Sequence, residues 1–116
     1  VLSQSNGNVL NYAGKISLNQ SASLVRDAKV VLTNDTGLMH IAAAFKKKIL
    51  SFWGNTVPQF GMYPYLPNKS SVHLEIENLK CRPCSKLGFH KCPKKHFRCM
   101  KEIDVNQVLE WIKKNY

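Results

Sequence analysis

The chain has 116 residues and a mass of 13.2 kDa, which is enough for one small domain and excludes a second independent hydrophobic core. Hydrophobic residues make up 44% of it, so wholesale disorder is excluded as well. Seventeen Lys and Arg against seven Asp and Glu give a formal net charge of +10, which favours anionic partners such as nucleotides, nucleic acid or acidic lipid headgroups.

Apolar runs in the chain are short. The longest is five residues, Ile41 to Phe45, whereas a transmembrane helix needs about 20. The chain opens without Met and without the basic and apolar regions of a signal peptide. We therefore expect a piece of a longer protein that has no transmembrane helix here and whose secretory signal is absent or was removed.

The first predicted elements are a helix and a strand. Ser17 and Gln20 have the spacing of a capping box, which starts a helix. One face of that helix is formed by apolar residues spaced four and three apart: Leu18, Ala22, Val25 and Ala28. The apolar run at residues 30–32 then predicts a strand covered on both faces, as in a parallel sheet.

A second helix and strand follow a break at residues 35–37. Residues 38–45 form an alanine-rich helical stretch, and the lysines at 46–48 place cations at its negative end. Residues 49–53 predict the next strand, closed by Gly54. Alternating helices and strands with short connections are typical of parallel strands joined by right-handed crossovers. The sequence therefore predicts part of a doubly wound α/β sheet.

The second half of the chain is less regular. A loop rich in Pro and Gly follows Gly54, and the alternating residues 72–76 predict an edge strand. A basic loop containing all four cysteines occupies residues 81–99. A second capping pattern at Asp104 and an apolar stripe predict an amphipathic C-terminal helix over residues 104–115.

The turn between the first strand and the second helix is the strongest candidate site. Ligands of open α/β sheets bind at the carboxyl ends of strands, and the amides of Thr36, Gly37 and Leu38 would face outward at a positive helix end, where phosphate binds. The Thr36 hydroxyl and the His40 ring, one turn further, can reach the same anion. The alternative is that Asp35 is only a helix N-cap and His40 an ordinary helix residue.

Several blocks in chain order resemble the C-terminal half of family 9 glycosyltransferases, the lipopolysaccharide heptosyltransferases. The first three are NYAGKISL at residues 11–18, VLTNDTGLMHIAAA at 31–44 and FWGNT at 52–56. The cysteine-bearing stretch supplies CRPC at 81–84, CP at 92–93 and HFRCM at 96–100. The resemblance spans nearly the whole chain, and the order of its blocks makes it specific.

The resemblance implies a fold and a donor. Family members have the GT-B architecture, in which two Rossmann-like domains face a cleft and the C-terminal one holds a sugar nucleotide. Residues 1–116 would be a single, partial domain of that kind, with a Rossmann-like parallel sheet and flanking helices. The implied reaction is transfer of heptose from ADP-heptose to the lipopolysaccharide inner core, with inversion and without a required metal.

The resemblance also implies residue roles. Asp35, Thr36, Gly37 and His40 would hold the diphosphate and sugar. Lys15 and Ser17 would lie in a loop that approaches the nucleotide, with a solvated lysine as the alternative for Lys15. Thr56 would face the cleft or serve as a plain turn residue.

The implied acceptor domain lies outside this chain. The inner-core acceptor and the acidic catalytic base belong to the N-terminal domain, so we expect no catalytic residue here and no transfer activity from the chain alone. The expected location is the cytoplasm, peripheral to the inner face of the inner membrane. Anionic lipid or sugar phosphates could contact the basic residues of the cysteine-rich loop.

The cysteines have the spacing C-x2-C-x7-C-x6-C at Cys81, Cys84, Cys92 and Cys99. The first pair has a spacing seen in zinc sites, and a structural zinc would tie together a loop without its own core. Reduced thiols packed as small apolar groups are the alternative that we favour. Disulfides fit a cytosolic protein least.

The charge and the cysteines taken alone suggest a second function, a basic zinc-containing nucleic-acid-binding module. That hypothesis leaves the buried strand, the turn at Asp35 and the alanine-rich helix without a role. We therefore expect a nucleotide-sugar-binding domain and no nucleic-acid partner.

Overall fold

A computed structural model of the protein describes residues 9–116, and its helices and strands follow the predicted order. The first half contains α1 (Leu18–Asp27), β1 (Val30–Asn34), α2 (Gly37–Ala44) and β2 (Lys48–Trp53). The second half contains a 3-10 helix (Pro58–Phe60), β3 (Val72–Glu75), α3 (Arg98–Lys101) and α4 (Val105–Asn115).

The three strands form one parallel sheet in the order β1-β2-β3. Val30 pairs with Lys48 and Leu50 pairs with Val72, so β2 lies in the centre. Parallel strands need crossover connections, and α2 makes the crossover from β1 to β2. The predicted α/β class with a Rossmann-like parallel sheet and flanking helices is confirmed.

The core lies between α2 and the central strand. Met39, Ala42 and Ala43 of α2 pack with Ile49 and Trp53 of β2, and all five are buried. The small alanines let the helix backbone approach the sheet closely. The indole of Trp53 donates a 3.0 Å hydrogen bond to the hydroxyl of Ser51, so its polar atom is satisfied inside the core.

Local signals set the helix ends. The capping box of α1 is present, with the Ser17 hydroxyl accepting from the Gln20 amide and the Gln20 side chain accepting from the Ser17 amide. At the end of α2 the amides of Lys46 and Lys47 donate to the carbonyls of Ala43 and Ala42. These backbone bonds satisfy the last carbonyls of the helix. The end of α2 is therefore set by backbone hydrogen bonds in addition to the lysine charges.

One expectation about β1 is wrong. Its run of apolar residues predicted cover on both faces, but no residue of β1 is fully buried and Leu32 is 42% exposed. The reason is position, because β1 is an edge of the described sheet and β2 is its centre. The same apolar pattern in β2 is buried at four of six positions.

The last third of the chain closes over the sheet. The predicted edge strand is confirmed as β3, which is parallel to β2. The segment 81–99 is irregular, and α3 begins at its end. Asp104 caps α4 by accepting from the Asn106 amide, and the Trp111 indole donates to the Ser70 carbonyl. In residues 9–116 no helix has the length and apolar character that crossing a membrane requires.

Candidate functional site

The candidate site begins where β1 ends and α2 starts. Asp35 and Thr36 join the two elements, and the N-cap of α2 is Thr36, in an extended conformation with φ −147° and ψ 165°. The alternative in which Asp35 is the N-cap is therefore wrong. Asp35 stands one residue too early, because α2 begins at Gly37 and the N-cap is the residue directly before the helix.

The first turn of α2 has no side-chain cap. The Thr36 side chain makes no capping hydrogen bond, and the amide of Met39 bonds to the Thr36 carbonyl at 3.0 Å. A Cβ built on Gly37 would meet no atom within 4 Å, so the space in front of this residue is open. Uncapped amides at a positive helix end with open space are suited to an anion.

The Thr36 side chain is held by its neighbour in β1. The Thr33 hydroxyl donates to the Asn34 carbonyl at 3.0 Å, and the hydroxyl oxygens of Thr33 and Thr36 are 3.2 Å apart. Because the Thr33 hydrogen is already used, the Thr36 hydroxyl is the donor of the second bond. The Thr36 oxygen keeps its acceptor capacity and can exchange its donor bond for one to a ligand.

The acidity of Asp35 depends on its burial and on the charge of His40. Partial burial raises the pKa of the Asp35 carboxyl, and the charge of His40 acts in the opposite direction. His40 itself is exposed. This Coulombic effect shows that His40 lies near enough to Asp35 for their charges to interact.

A cavity of about 270 Å³ lies beside the turn. Its walls come from the carboxyl ends of two neighbouring parallel strands and from the cysteine-rich segment. Asn34 and Asp35 follow β1, and Gly54, Asn55 and Thr56 follow β2. Of the predicted donor-binding residues, Asp35 and Thr56 line this cavity, and Thr56 is only 7% exposed.

The other predicted donor-binding residues lie outside the cavity wall. Thr36, Gly37, Leu38 and His40 are exposed on the neighbouring helix end. Ser17 uses its hydroxyl to cap α1. Lys15 closes a turn through its amide, which donates to the Tyr12 carbonyl at 3.0 Å.

The cysteines are all free and share one region. Cys84, Cys92 and Cys99 line the cavity. The Sγ atom of Cys81 is 3.6 Å from Nε2 of His96. Because the Arg98 amide donates to Nδ1 of His96, the neutral ring carries its proton on Nε2, directed at Cys81.

The thiols differ in acidity. Burial raises the pKa of Cys84 and of Cys99, whereas backbone amides, that of Phe97 foremost, lower the pKa of Cys92. Within the described part of the chain no group of three or more His, Cys, Asp or Glu residues is arranged to hold a metal ion.

The cavity also contains residues that sequence reasoning missed. Asn34, Asn55, His90 and Lys91 line it. Asn34 stands directly before the predicted turn, so its position at the strand end was a usable signal. His90 and Lys91 belong to the irregular segment, and no local pattern connects them with the sheet.

The chain matches a known protein family over most of its length. Residues 2–90 match glycosyltransferase family 9 (heptosyltransferase). The chain is 40% identical over 81 residues to lipooligosaccharide heptosyltransferase 2 of Haemophilus influenzae, covering 68% of this chain and 23% of that protein. It is 32% identical over 116 residues to lipooligosaccharide heptosyltransferase 2 of Campylobacter jejuni, covering 98% of this chain and 34% of that protein.

A third relative is lipopolysaccharide heptosyltransferase 2 of Escherichia coli, with 39% identity over 62 residues, 53% of this chain and 17% of that protein. The chain thus spans about a third or less of the length of these curated relatives. No solved structure matches it significantly.

Proposed function

Because the chain belongs to glycosyltransferase family 9, the heptosyltransferase family, we propose that it forms the donor-binding part of a heptosyltransferase of lipopolysaccharide core synthesis. The relatives are named as heptosyltransferases acting on lipooligosaccharide or lipopolysaccharide. The donor is a nucleotide-activated heptose of the ADP-heptose kind, and the acceptor is the inner core.

The uncapped first turn of α2 carries this proposal. Its amides at Gly37 and Leu38 start a helix directly after a strand of a parallel sheet, and a Cβ on Gly37 would meet open space. The diphosphate of the donor binds there, with the Thr36 hydroxyl as a further hydrogen-bond partner. Helix-end amides and a net charge of +10 offset its negative charge, so the proposed site needs no metal ion.

The sugar of the donor extends from this turn toward the cavity. Asp35 stands between the two, since it borders both the first turn of α2 and the cavity wall. Its carboxylate can accept hydrogen bonds from sugar hydroxyls. His40 binds the phosphate next to the sugar, and Lys15 and Ser17 approach the nucleoside.

The transfer step itself uses groups that we assign to another part of the enzyme. The acceptor hydroxyl oxygen bonds to the anomeric carbon while the bond from that carbon to the phosphate oxygen breaks. ADP leaves with the electron pair, the hydroxyl proton passes to a base, and the configuration inverts. We assign no catalytic residue to this chain.

Exposed basic residues attract the acceptor and the membrane electrostatically. Five of them are lysines exposed in or beside the cysteine-rich segment: Lys86, Lys91, Lys94, Lys95 and Lys101. Their field attracts a phosphate-rich acceptor and the anionic surface of the inner membrane's cytoplasmic face. The contact is peripheral, and it weakens as salt rises.

The experiment compares ligands on the protein as its gene encodes it. Calorimetry with ADP, ADP-heptose and a DNA duplex is run at about 50 and 200 mM salt. We expect one equivalent of ADP to bind at both salt concentrations, and heptose transfer to a core acceptor. The opposite result, tight salt-sensitive DNA binding without ADP binding, would support the nucleic-acid module instead.

A further inference from the structure

The loop after β2 is held by the cysteine-rich segment through three consecutive carbonyls. Arg82 donates from Nε to the Gly54 carbonyl at 2.5 Å and from Nη2 to the Thr56 carbonyl at 2.8 Å. Between them, the Asn55 carbonyl accepts from the Cys84 amide at 2.8 Å. Every carbonyl of this short loop therefore points to a donor within residues 82–84.

The Arg82 guanidinium also reaches the end of β3. Its Nη2 atom is 2.6 Å from a carboxylate oxygen of Glu75, and Nη1 donates to the Ile76 carbonyl at 2.8 Å. The side chains are 5% and 14% exposed, respectively, for Arg82 and Glu75. One planar group thus joins the carboxyl ends of β2 and β3, a geometry that the point charge of a lysine cannot reproduce.

The loop that Arg82 holds is a wall of the candidate site. Gly54, Asn55 and Thr56 line the same cavity as Asp35. The fit is close, because a Cβ on Gly54 would lie 2.9 Å from Sδ of Met100. The Asn55 side chain adds a 2.9 Å bond from Nδ2 to the Phe89 carbonyl.

We propose that Arg82 is a positioning residue of the substrate site, which it serves by fixing the loop of residues 54–56 in the cavity wall that this loop shares with Asp35, without touching substrate. This inference rests on the proposed function, since it assumes that the cavity receives the donor. A wall that moves by 1 Å is enough to weaken a well-oriented site. Burial makes the hold rigid, because the ion pair has little water to compete with it.

The chain offers a matched control for Arg82. Arg98 also pairs with a glutamate, Glu102, but its side chain is 55% exposed and the pair lies on the surface of α3. Exposed pairs contribute little to stability. Arg82→Lys and Arg98→Lys therefore make the same chemical change, because both keep the charge and lose the planar group. Only Arg82→Lys makes it in the hydrogen bonds that hold residues 54–56, which we call the clamp.

The first measurement is ADP-heptose binding by calorimetry, made on the protein as its gene encodes it at a temperature where circular dichroism shows each variant folded. We expect Arg82→Lys to bind ADP-heptose about tenfold more weakly, from the loss of oriented hydrogen bonds around the sugar, and Arg98→Lys to bind like the parent. Equal binding by Arg82→Lys and the parent overturns the inference. A parent that binds neither ADP-heptose nor ADP overturns the proposed function as well.

The second measurement needs no ligand and separates these failures. Amide hydrogen exchange reports local opening, so exchange at the Cys84 amide, which donates to the Asn55 carbonyl, should quicken in Arg82→Lys and stay unchanged in Arg98→Lys. Unchanged exchange in Arg82→Lys contradicts the clamp, whatever the ligand titrations give. Quickened exchange in a protein that never binds ADP-heptose keeps the clamp and rejects its role in a substrate site.

A milder variant covers the case in which Arg82→Lys does not fold. Glu75→Gln leaves the guanidinium and its carbonyl bonds in place and removes only the opposing charge. We expect weaker ADP-heptose binding than in the parent, by about threefold, with quickened exchange at the Cys84 amide. Parent-like values for both in Glu75→Gln would overturn the inference.

Discussion

The guanidinium of Arg82 donates a 2.8 Å hydrogen bond to the main-chain carbonyl of Thr56, 26 residues earlier in the chain. This bond joins the irregular cysteine-rich segment to the carboxyl end of the sheet. The candidate site is therefore composite. One part is a strand-to-helix turn, and another is a loop that depends on a distant side chain for its position.

Gly37→Val should leave the protein folded and weaken ADP binding about ten- to a hundredfold. Gly37 does not have a positive φ and its Cβ position is open, so the folded structure can accommodate valine. The valine side chain would, however, block an anion that approaches the helix-end amides. Calorimetry on the folded variant measures the effect. Asn19→Val, in the exposed first turn of α1, is the control, and parent-like ADP binding by Gly37→Val would place the phosphate elsewhere.

His40→Ala should discriminate between ADP and the intact sugar nucleotide. If the imidazole reaches the phosphate next to the sugar, ADP-heptose loses about tenfold in affinity and ADP loses less. Paired calorimetric titrations measure both. His73→Ala, which removes a ring stacked edge-on against Tyr63, is the control. Equal losses for the two ligands would contradict the assignment of His40.

Asp35→Asn should not destabilise the protein at neutral pH. Because burial raises the pKa of Asp35 in the folded state, the ionised form is disfavoured by folding. Folding favours the protonated carboxyl, and this stabilising effect is present below the unfolded pKa of about 3.9 and is lost as pH rises through the folded pKa. We expect the variant to equal the parent or exceed it by about 0.5 kcal/mol or less at pH ~7, as measured by urea unfolding.

The control for Asp35 is Asp27, whose pKa is shifted in the opposite direction. A hydrogen bond from Arg26 lowers the pKa of Asp27, so its stabilising effect is present above the unfolded pKa and is lost as pH falls. Asp27→Asn should therefore lose a little stability at pH ~7, and this loss should shrink as the pH falls. A clear loss in Asp35→Asn at neutral pH would show that its carboxylate is held by a favourable contact.

The cysteines should react in a set order. The thiolate is the reactive form, so Cys92, whose pKa is lowered by backbone amides, should be alkylated first at about pH 7.5, and buried Cys99, whose pKa is raised, last. Peptide mass spectrometry after timed iodoacetamide treatment measures this order. Four thiols should titrate after unfolding, and near-stoichiometric zinc in protein purified without chelator would contradict the packed-thiol interpretation.

Local patterns determined the elements of this protein. The capping box at Ser17 and Gln20 and the cap at Asp104 act within a few residues, so both helix starts could be predicted and both are confirmed. Alternating helices and strands with short connections determined the parallel sheet. The turn at residues 35–37 followed from the same local information, because a strand end and a helix start meet there.

Tertiary structure decided which surfaces are covered and what faces the turn. Leu32 and Leu50 stand in similar apolar runs, yet Leu32 is exposed and Leu50 is buried, because within the sheet of residues 9–116 β2 alone has a strand on each side. Arg82 looked like one more basic residue of a charged loop. Its burial depends on carbonyls at the ends of two strands and on Glu75. These partners come together only in the folded chain, so no spacing in the sequence predicts the contact.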